Sequence, residues 1–148
     1  MIERIFHFNI NCSNLERSLE FYQLLGFRII IDFREGMASQ EMADAFGIPV
    51  ADLKGVHLRL GDNPEGTRID LLEFTNPAPT GQPYPHLYHT GIARMCLKTN
   101  DIHRDYQELL VKGVSFITEP KLLPGTTVWI VCFRDPDGTF VELLQGDF

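Results

Sequence analysis

Two stretches of the chain lie over one another without a gap: His7 to Ile30 (HFNINCSNLERSLEFYQLLGFRII) and Arg94 to Ile117 (RMCLKTNDIHRDYQELLVKGVSFI). Helix-start residues coincide at Ser13 and Asn100, and glycines coincide at Gly26 and Gly113. The same polar and apolar spacing between the same start and stop signals dictates the same local structure twice. The head of the repeat breaks the likeness, because His7 of the first copy becomes Arg94 in the second.

Within the first copy, residues 4 to 12 alternate. His7, Asn9 and Asn11 share one face and Phe8, Ile10 and Cys12 the other, as in a half-buried strand. Ser13-Asn14-Leu15-Glu16 matches a capping box with Ser13 as the cap, so a helix is expected there. Its stripe of Leu15, Leu19 and Tyr22 should pack on the apolar face of that strand. Gly26 ends the helix, and Phe27 to Phe33 is a second strand. The second copy places Arg94, Cys96 and Lys98 on the face away from its helix, with Asn100 as cap, Ile102, Tyr106 and Leu109 as the buried stripe, and Gly113 as the stop.

Later segments correspond as well. Val56 to Leu60 and Thr67 to Phe74 are strands on either side of a polar turn, and Val128 to Phe133 and Thr139 to Leu144 flank Asp135-Pro136-Asp137-Gly138, a strong turn signal. Each half is therefore strand, helix and three strands. The expected fold class is α+β: one domain, 1–148, made of two βαβββ modules, 3–75 and 92–146, around a cleft. Residues 76–91, with Pro77, Pro79, Pro83 and Pro85, form a linker that neither a helix nor a central strand would tolerate. Residues 38–48 (ASQEMADAFGI) are an insertion with the look of a short helix carrying Met42 and Phe46, either lidding a pocket or covering a sheet edge.

Composition narrows the function classes. A formal net charge of −7 argues against nucleic-acid binding through a basic surface. No apolar run is long enough to span a bilayer, and MIERIFHF has the pattern of a strand rather than a signal peptide. Cys12, Cys96 and Cys132 fit neither a disulfide framework nor a zinc cage, so reduced thiols in a cytoplasmic protein are expected.

Strand parity puts four polar groups on one side: His7, Asp70, Arg94 and Glu142. Asp70 and Glu142 are equivalent between the halves, each preceding two leucines, and His7 and Arg94 are equivalent by the overlay. Carboxylates set mid-strand among apolar residues need a cation: a metal, an arginine or a proton. His86, His89 and His103 are further candidate ligands, of which His89 and His103 are read as solvated; Tyr84 and Tyr88 are candidate pocket lining, and Trp129 is core.

The doubled pattern, with HFNINCSNLERSLEFYQLLGF near the start and FRDPDGTFVELL near the end, resembles the vicinal oxygen chelate superfamily, which includes glyoxalase I, methylmalonyl-CoA epimerase, extradiol dioxygenases and bleomycin-resistance proteins. The resemblance implies a metal ligand from the first and last strand of each half. Carried over residue by residue, His7, Asp70 and Glu142 would hold a divalent ion (Zn, Ni, Mn or Fe), with Asp70 one methylene shorter than the residue usual there. Arg94 stands where a second histidine is expected, and a guanidinium has no lone pair for a metal. Two-histidine iron chemistry and a complete glyoxalase-type site are excluded at these positions. The metal-free cleft, with Arg94 neutralising a carboxylate, is preferred over the three-ligand one.

Two functions follow from the resemblance. One is lyase- or isomerase-type proton transfer on a small oxygen-rich or anionic substrate. Glu142 or Asp70 would be the base, and an ion or Arg94 would stabilise an enolate. The other is a metal-free small-molecule binding protein without catalysis, in which Arg94 and Lys98 serve an anionic group. A homodimer is expected on the resemblance alone, with neither nucleic acid nor membrane as partner.

Overall fold

The computed structural model describes residues 1–147. They divide into two compact units, residues 1–81 and 82–147. The first contains β1 (His7–Asn11), α1 (Leu15–Leu24), β2 (Arg28–Ala38), α2 (Gln40–Phe46), β3 (Asp52–Arg59) and β4 (Arg68–Asn76). The second contains β5 (Arg94–Lys98), α3 (Ile102–Val111), β6 (Lys121–Leu122), β7 (Trp129–Arg134) and β8 (Phe140–Gln145). The chain is thus α+β, with two four-stranded sheets ordered β1-β4-β3-β2 and β5-β8-β7-β6. Both sheets are mixed, since β1–β4 and β5–β8 are parallel pairs and the remaining pairs are antiparallel.

The repeat is real down to its helix starts, but both caps lie one residue later than expected. Asn14 accepts from the Arg17 amide and Asp101 from the Arg104 amide, and these two positions also coincide in the overlay. The expected caps hold arginines instead: Ser13 Oγ accepts from Arg17 at 3.0 Å and Asn100 Oδ1 from Arg104 at 3.2 Å. A residue from the last strand of each unit fixes the helix start. Glu73 accepts from the Leu15 amide and Gln145 from the Ile102 amide, each at 2.7 Å. Both lie three residues beyond the mid-strand carboxylate, so one strand carries the candidate acid and a helix anchor. Each such cap contributes about 1 kcal/mol.

Leu15, Leu19 and Tyr22 are buried as a stripe, together with Ser18 and Phe21. Burying each large apolar side chain is worth roughly 1.5–3 kcal/mol. α1 lies against β4, the strand paired with the edge strand β1, and on the apolar side of the first strand Cys12 is buried while Phe8 is exposed. In the second unit Ile102 and Leu109 are buried and Tyr106 half-buried. Gly26 and Gly113 follow the helices at φ 96 and 89, left-handed conformations that glycine adopts without steric cost.

The second strands differ from expectation. β2 runs on to Ala38, past an irregular register against β3 between Phe33 and Met37. In the second unit, only an isolated bridge joins Phe116 to Phe133 before the short β6. Pro120, which has no amide donor, precedes β6 and keeps the pairing from running through. The 38–48 insertion does form a helix, α2, capped by Ser39 and closed by Gly47; its buried residue is Ala43, while Phe46 is 52% exposed. Among the described residues no helix is long and apolar enough to cross a membrane.

Candidate functional site

In the first unit, β3 and β4 pair from Asp52↔Asn76 to Arg59↔Arg68, which sets His57 directly across from Asp70. On the other side of β4, Asn9 of β1 is the register partner of Asp70 and donates to its backbone carbonyl at 3.1 Å. Two imidazoles converge on this carboxylate. His57 Nε2 is 3.3 Å from Oδ1 and His7 Nε2 is 4.0 Å from Oδ2. The His57 ring meets His7 and Phe33 edge-on, at centroid distances of 5.8 and 5.9 Å. Phe33 has room there because the position beside it is Gly55, where an added Cβ would lie 2.9 Å from its ring.

Burial governs the electrostatics. The Asp70 and His57 side chains are only 14% and 17% exposed. Burial raises the Asp70 carboxyl above its ordinary value, against the opposing pull of His57 and His7. Burial likewise holds His57 below the ordinary imidazole value, with His7 and Arg68 acting in the same direction and Asp70 against it. Asp70 Oδ1 and His57 Nδ1 are both buried without a hydrogen bond, so the 3.3 Å approach is an electrostatic contact out of hydrogen-bond alignment. Two titratable groups pushed toward each other's range form the arrangement used to hold and pass a proton.

The equivalent acid of the second unit is held differently. Glu142, 4% exposed in the middle of β8, lies between Cys96 of β5 and Cys132 of β7 in register. Arg94 Nε donates to Glu142 Oε2 at 2.8 Å, and Cys132 Sγ lies 3.7 Å from the same oxygen. Burial first, then a hydrogen bond to Glu142 and its charge, push the Cys96 thiol up to about 12. Burial and the Glu142 charge push Cys132 up to about 11. Lys98, two residues past Cys96, pairs with Asp147. Arg94 and Lys98, expected to await an anionic ligand, thus each already meet a carboxylate.

The four site residues therefore fall into two local clusters, His7 with Asp70 and Arg94 with Glu142. The metal that the resemblance implies does not fit these donors. The Glu142 oxygen that an ion would need carries a guanidinium, and among the described residues no three His, Cys, Asp or Glu side chains are grouped to hold a metal. His57 was missed in the sequence, although the hairpin register about the Asn63–Gly66 turn carries it to Asp70. His86 and His89 stack with Tyr88 and Tyr84, at centroid distances of 3.8 and 4.4 Å. His103 is exposed and lies edge-on to the half-buried Trp129, at 4.6 Å. A cavity of about 400 Å³ lined by Arg34, Met37, Asp52, Lys54 and Thr75 contains none of the site residues.

Comparison with known proteins gives a consistent result. The family model for the Glyoxalase/Bleomycin resistance protein/Dioxygenase superfamily matches residues 4–143. A probable lactoylglutathione lyase of Vibrio cholerae is 25% identical over 146 residues, covering 97% of this chain and 91% of the relative. YurT, an uncharacterized protein of Bacillus subtilis, is 28% identical over 66% of this chain and 75% of its own length. Among solved structures, a glyoxalase family protein from Bacillus cereus superposes with a TM-score of 0.86 at 14% identity, covering 98% of this chain and 95% of that one. A glyoxalase I mutant from Zea mays superposes at 0.72 and 17% identity, covering 98% of this chain and 45% of that one. At such identities the structures show the fold alone.

Proposed function

Since the chain belongs to the glyoxalase/bleomycin resistance/dioxygenase superfamily, we propose that it catalyses a lyase- or isomerase-type proton transfer on a small oxygen-rich or anionic substrate, with Asp70 as the group that moves the proton. The observation that carries this reading is the half-buried Asp70 carboxylate with an imidazole nitrogen facing each oxygen. Its raised proton affinity makes it a better base than a solvated carboxylate, and its second oxygen faces the more exposed His7.

In the reaction, an Asp70 oxygen takes the proton from a carbon next to a carbonyl, the electron pair moves to the carbonyl oxygen as an enolate, and the carboxylic acid returns the proton to the same or the adjacent carbon. His57 acts on Asp70 rather than on substrate and is a positioning residue. No step is drawn through a divalent ion, because the donors do not fit one. Glu142 is the closed counterpart, an acid already neutralised by Arg94. The proposal places the enzyme in the cytoplasm as a homodimer. The free cysteines are consistent with the first, and the unpaired edge of β1, with Phe6 and Phe8 exposed, is consistent with the second.

The test is hydrogen exchange from D₂O into a panel of 2-oxo acids, 2-hydroxy acids and lactoylglutathione, followed by NMR. The protein should exchange the hydrogen next to the carbonyl of at least one panel member. Asp70→Asn should slow that exchange by about 10²-fold or more. Exchange unchanged in Asp70→Asn, or none with any panel member, overturns the proposal.

A further inference from the structure

One row of the first sheet places three arginines and a histidine side by side across its four strands. Arg28 of β2 is the register partner of Arg59 in β3, Arg59 of Arg68 in β4, and Arg68 of His7 in β1. Like charges directly opposite one another on a sheet are destabilising, and a chain of net charge −7 has no general excess of base to explain them.

The ends of the row are accounted for and its middle is not. Arg28 pairs with Asp62 and donates to the Gly61 carbonyl at 3.1 Å. The other acid of the β3–β4 loop, Glu65, is taken by Arg4. Arg59 has only a 3.4 Å contact from NH1 to the Pro64 carbonyl, and its Nε is buried with no hydrogen-bond partner. Arg68 lies over the Phe6 ring at 4.5 Å. Among the described residues no carboxylate pairs with either. Two arginines that are register partners, one with an unsatisfied buried donor, offer the donors that an oxyanion takes.

We propose that Arg59 and Arg68 bind the carboxylate or phosphate group of the ligand. Arg59 and Arg68 lie two residues along their strands from His57 and Asp70 and on the same face, a spacing of about 6.8 Å. An oxyanion held by the two arginines would therefore lie on the same face of the sheet as Asp70, with the length of the substrate spanning the interval. This placement, and only this, rests on the proton-transfer reading. The substrate class becomes a small carboxylate or phosphate ester, and the anion-binding role expected of Arg94 and Lys98 passes to Arg59 and Arg68.

The experiment titrates inorganic phosphate and, separately, oxalate into the purified protein. Sodium chloride holds ionic strength constant, and binding is followed by the arginine Nε–H NMR signals and by the thermal midpoint. Saturable binding of either probe is expected, at least tenfold weaker in Arg59→Gln and Arg68→Gln, intermediate in Arg59→Lys, and unchanged in Arg104→Gln of the second unit. Tighter binding of phosphate assigns the site to a phosphate ester, and tighter binding of oxalate assigns it to a carboxylate. Asp70→Asn should bind the probes as well as the unaltered protein does, so a failure of proton transfer alone leaves this site standing. No saturable binding of either probe, or binding unchanged in the Arg59→Gln/Arg68→Gln double variant, overturns the proposal.

Discussion

Cys96 is an exposed residue whose thiol should nonetheless be almost inert. Its thiol is raised from 9.0 to about 12 by burial first, then by the hydrogen bond to Glu142 and the charge of that carboxylate, with Arg94 opposing. At pH 8 a thiol at the ordinary value is about one-tenth thiolate, whereas one near 12 is about 10⁻⁴ thiolate, a difference of roughly a thousandfold. Only the thiolate attacks, but a thiolate of higher proton affinity is also the stronger nucleophile, so alkylation should slow by roughly fiftyfold. Glu142→Gln removes the charge but leaves the burial, so reactivity should recover only in part. The assay is iodoacetamide labelling at pH 8 with peptide mapping, referenced to the protein in urea. The folded protein should label Cys96 roughly fifty times more slowly, and Glu142→Gln should close part of that gap. Labelling within tenfold of the unfolded rate, or no acceleration in Glu142→Gln, would show that the thiol does not donate to that acid.

Gly55→Ala should destabilise the first unit by about 1–3 kcal/mol, several degrees in thermal midpoint. The added Cβ would lie 2.5 Å from the Leu71 carbonyl oxygen, which as backbone in a paired strand cannot yield. A midpoint within a degree of the parent would contradict that packing. His57, held below its ordinary value of 6.5, binds fewer protons in the folded than in the unfolded chain. Its contribution is therefore present above pH 6.5 and lost as pH falls through that value. Asp70, raised above 3.8, has the opposite sign, with a contribution lost as pH rises above 3.8. Urea titrations at pH 5 and pH 7 should show a smaller stability difference in His57→Gln than in the parent. Arg94→His frees Glu142 Oε2 and adds an imidazole beside two thiols. It should gain Zn²⁺ or Ni²⁺ affinity of tenfold or more by calorimetry, and no gain would mean that Arg94 is not what keeps an ion from Glu142.

The repeat made the α+β fold legible. A shared start, stop and apolar stripe is local information, and Leu15/Ile102 and Gly26/Gly113 took the same places in both units. Its limits were local too. Ser13 and Asn100 satisfy every composition rule for a cap, yet the amide that decides the start is met from Glu73 or Gln145, far along the chain. Strand parity put His7, Asp70, Arg94 and Glu142 on one side without saying which of them pair. His57 was not legible, because an isolated histidine in an alternating strand carries no signal until the hairpin register sets it opposite an acid. The arginine row was hidden for the same reason: Arg28, Arg59 and Arg68 are scattered in sequence and adjoin only through pairing.

The central claim is that the proton moves at Asp70 and not at its equivalent, Glu142. The most direct measurement compares D₂O exchange into the same substrate for Asp70→Asn and Glu142→Gln side by side, with folding checked by the thermal midpoint. The account predicts that exchange falls by about 10²-fold or more in Asp70→Asn and stays within a few-fold of the parent in Glu142→Gln. Loss in Glu142→Gln with exchange retained in Asp70→Asn would contradict it.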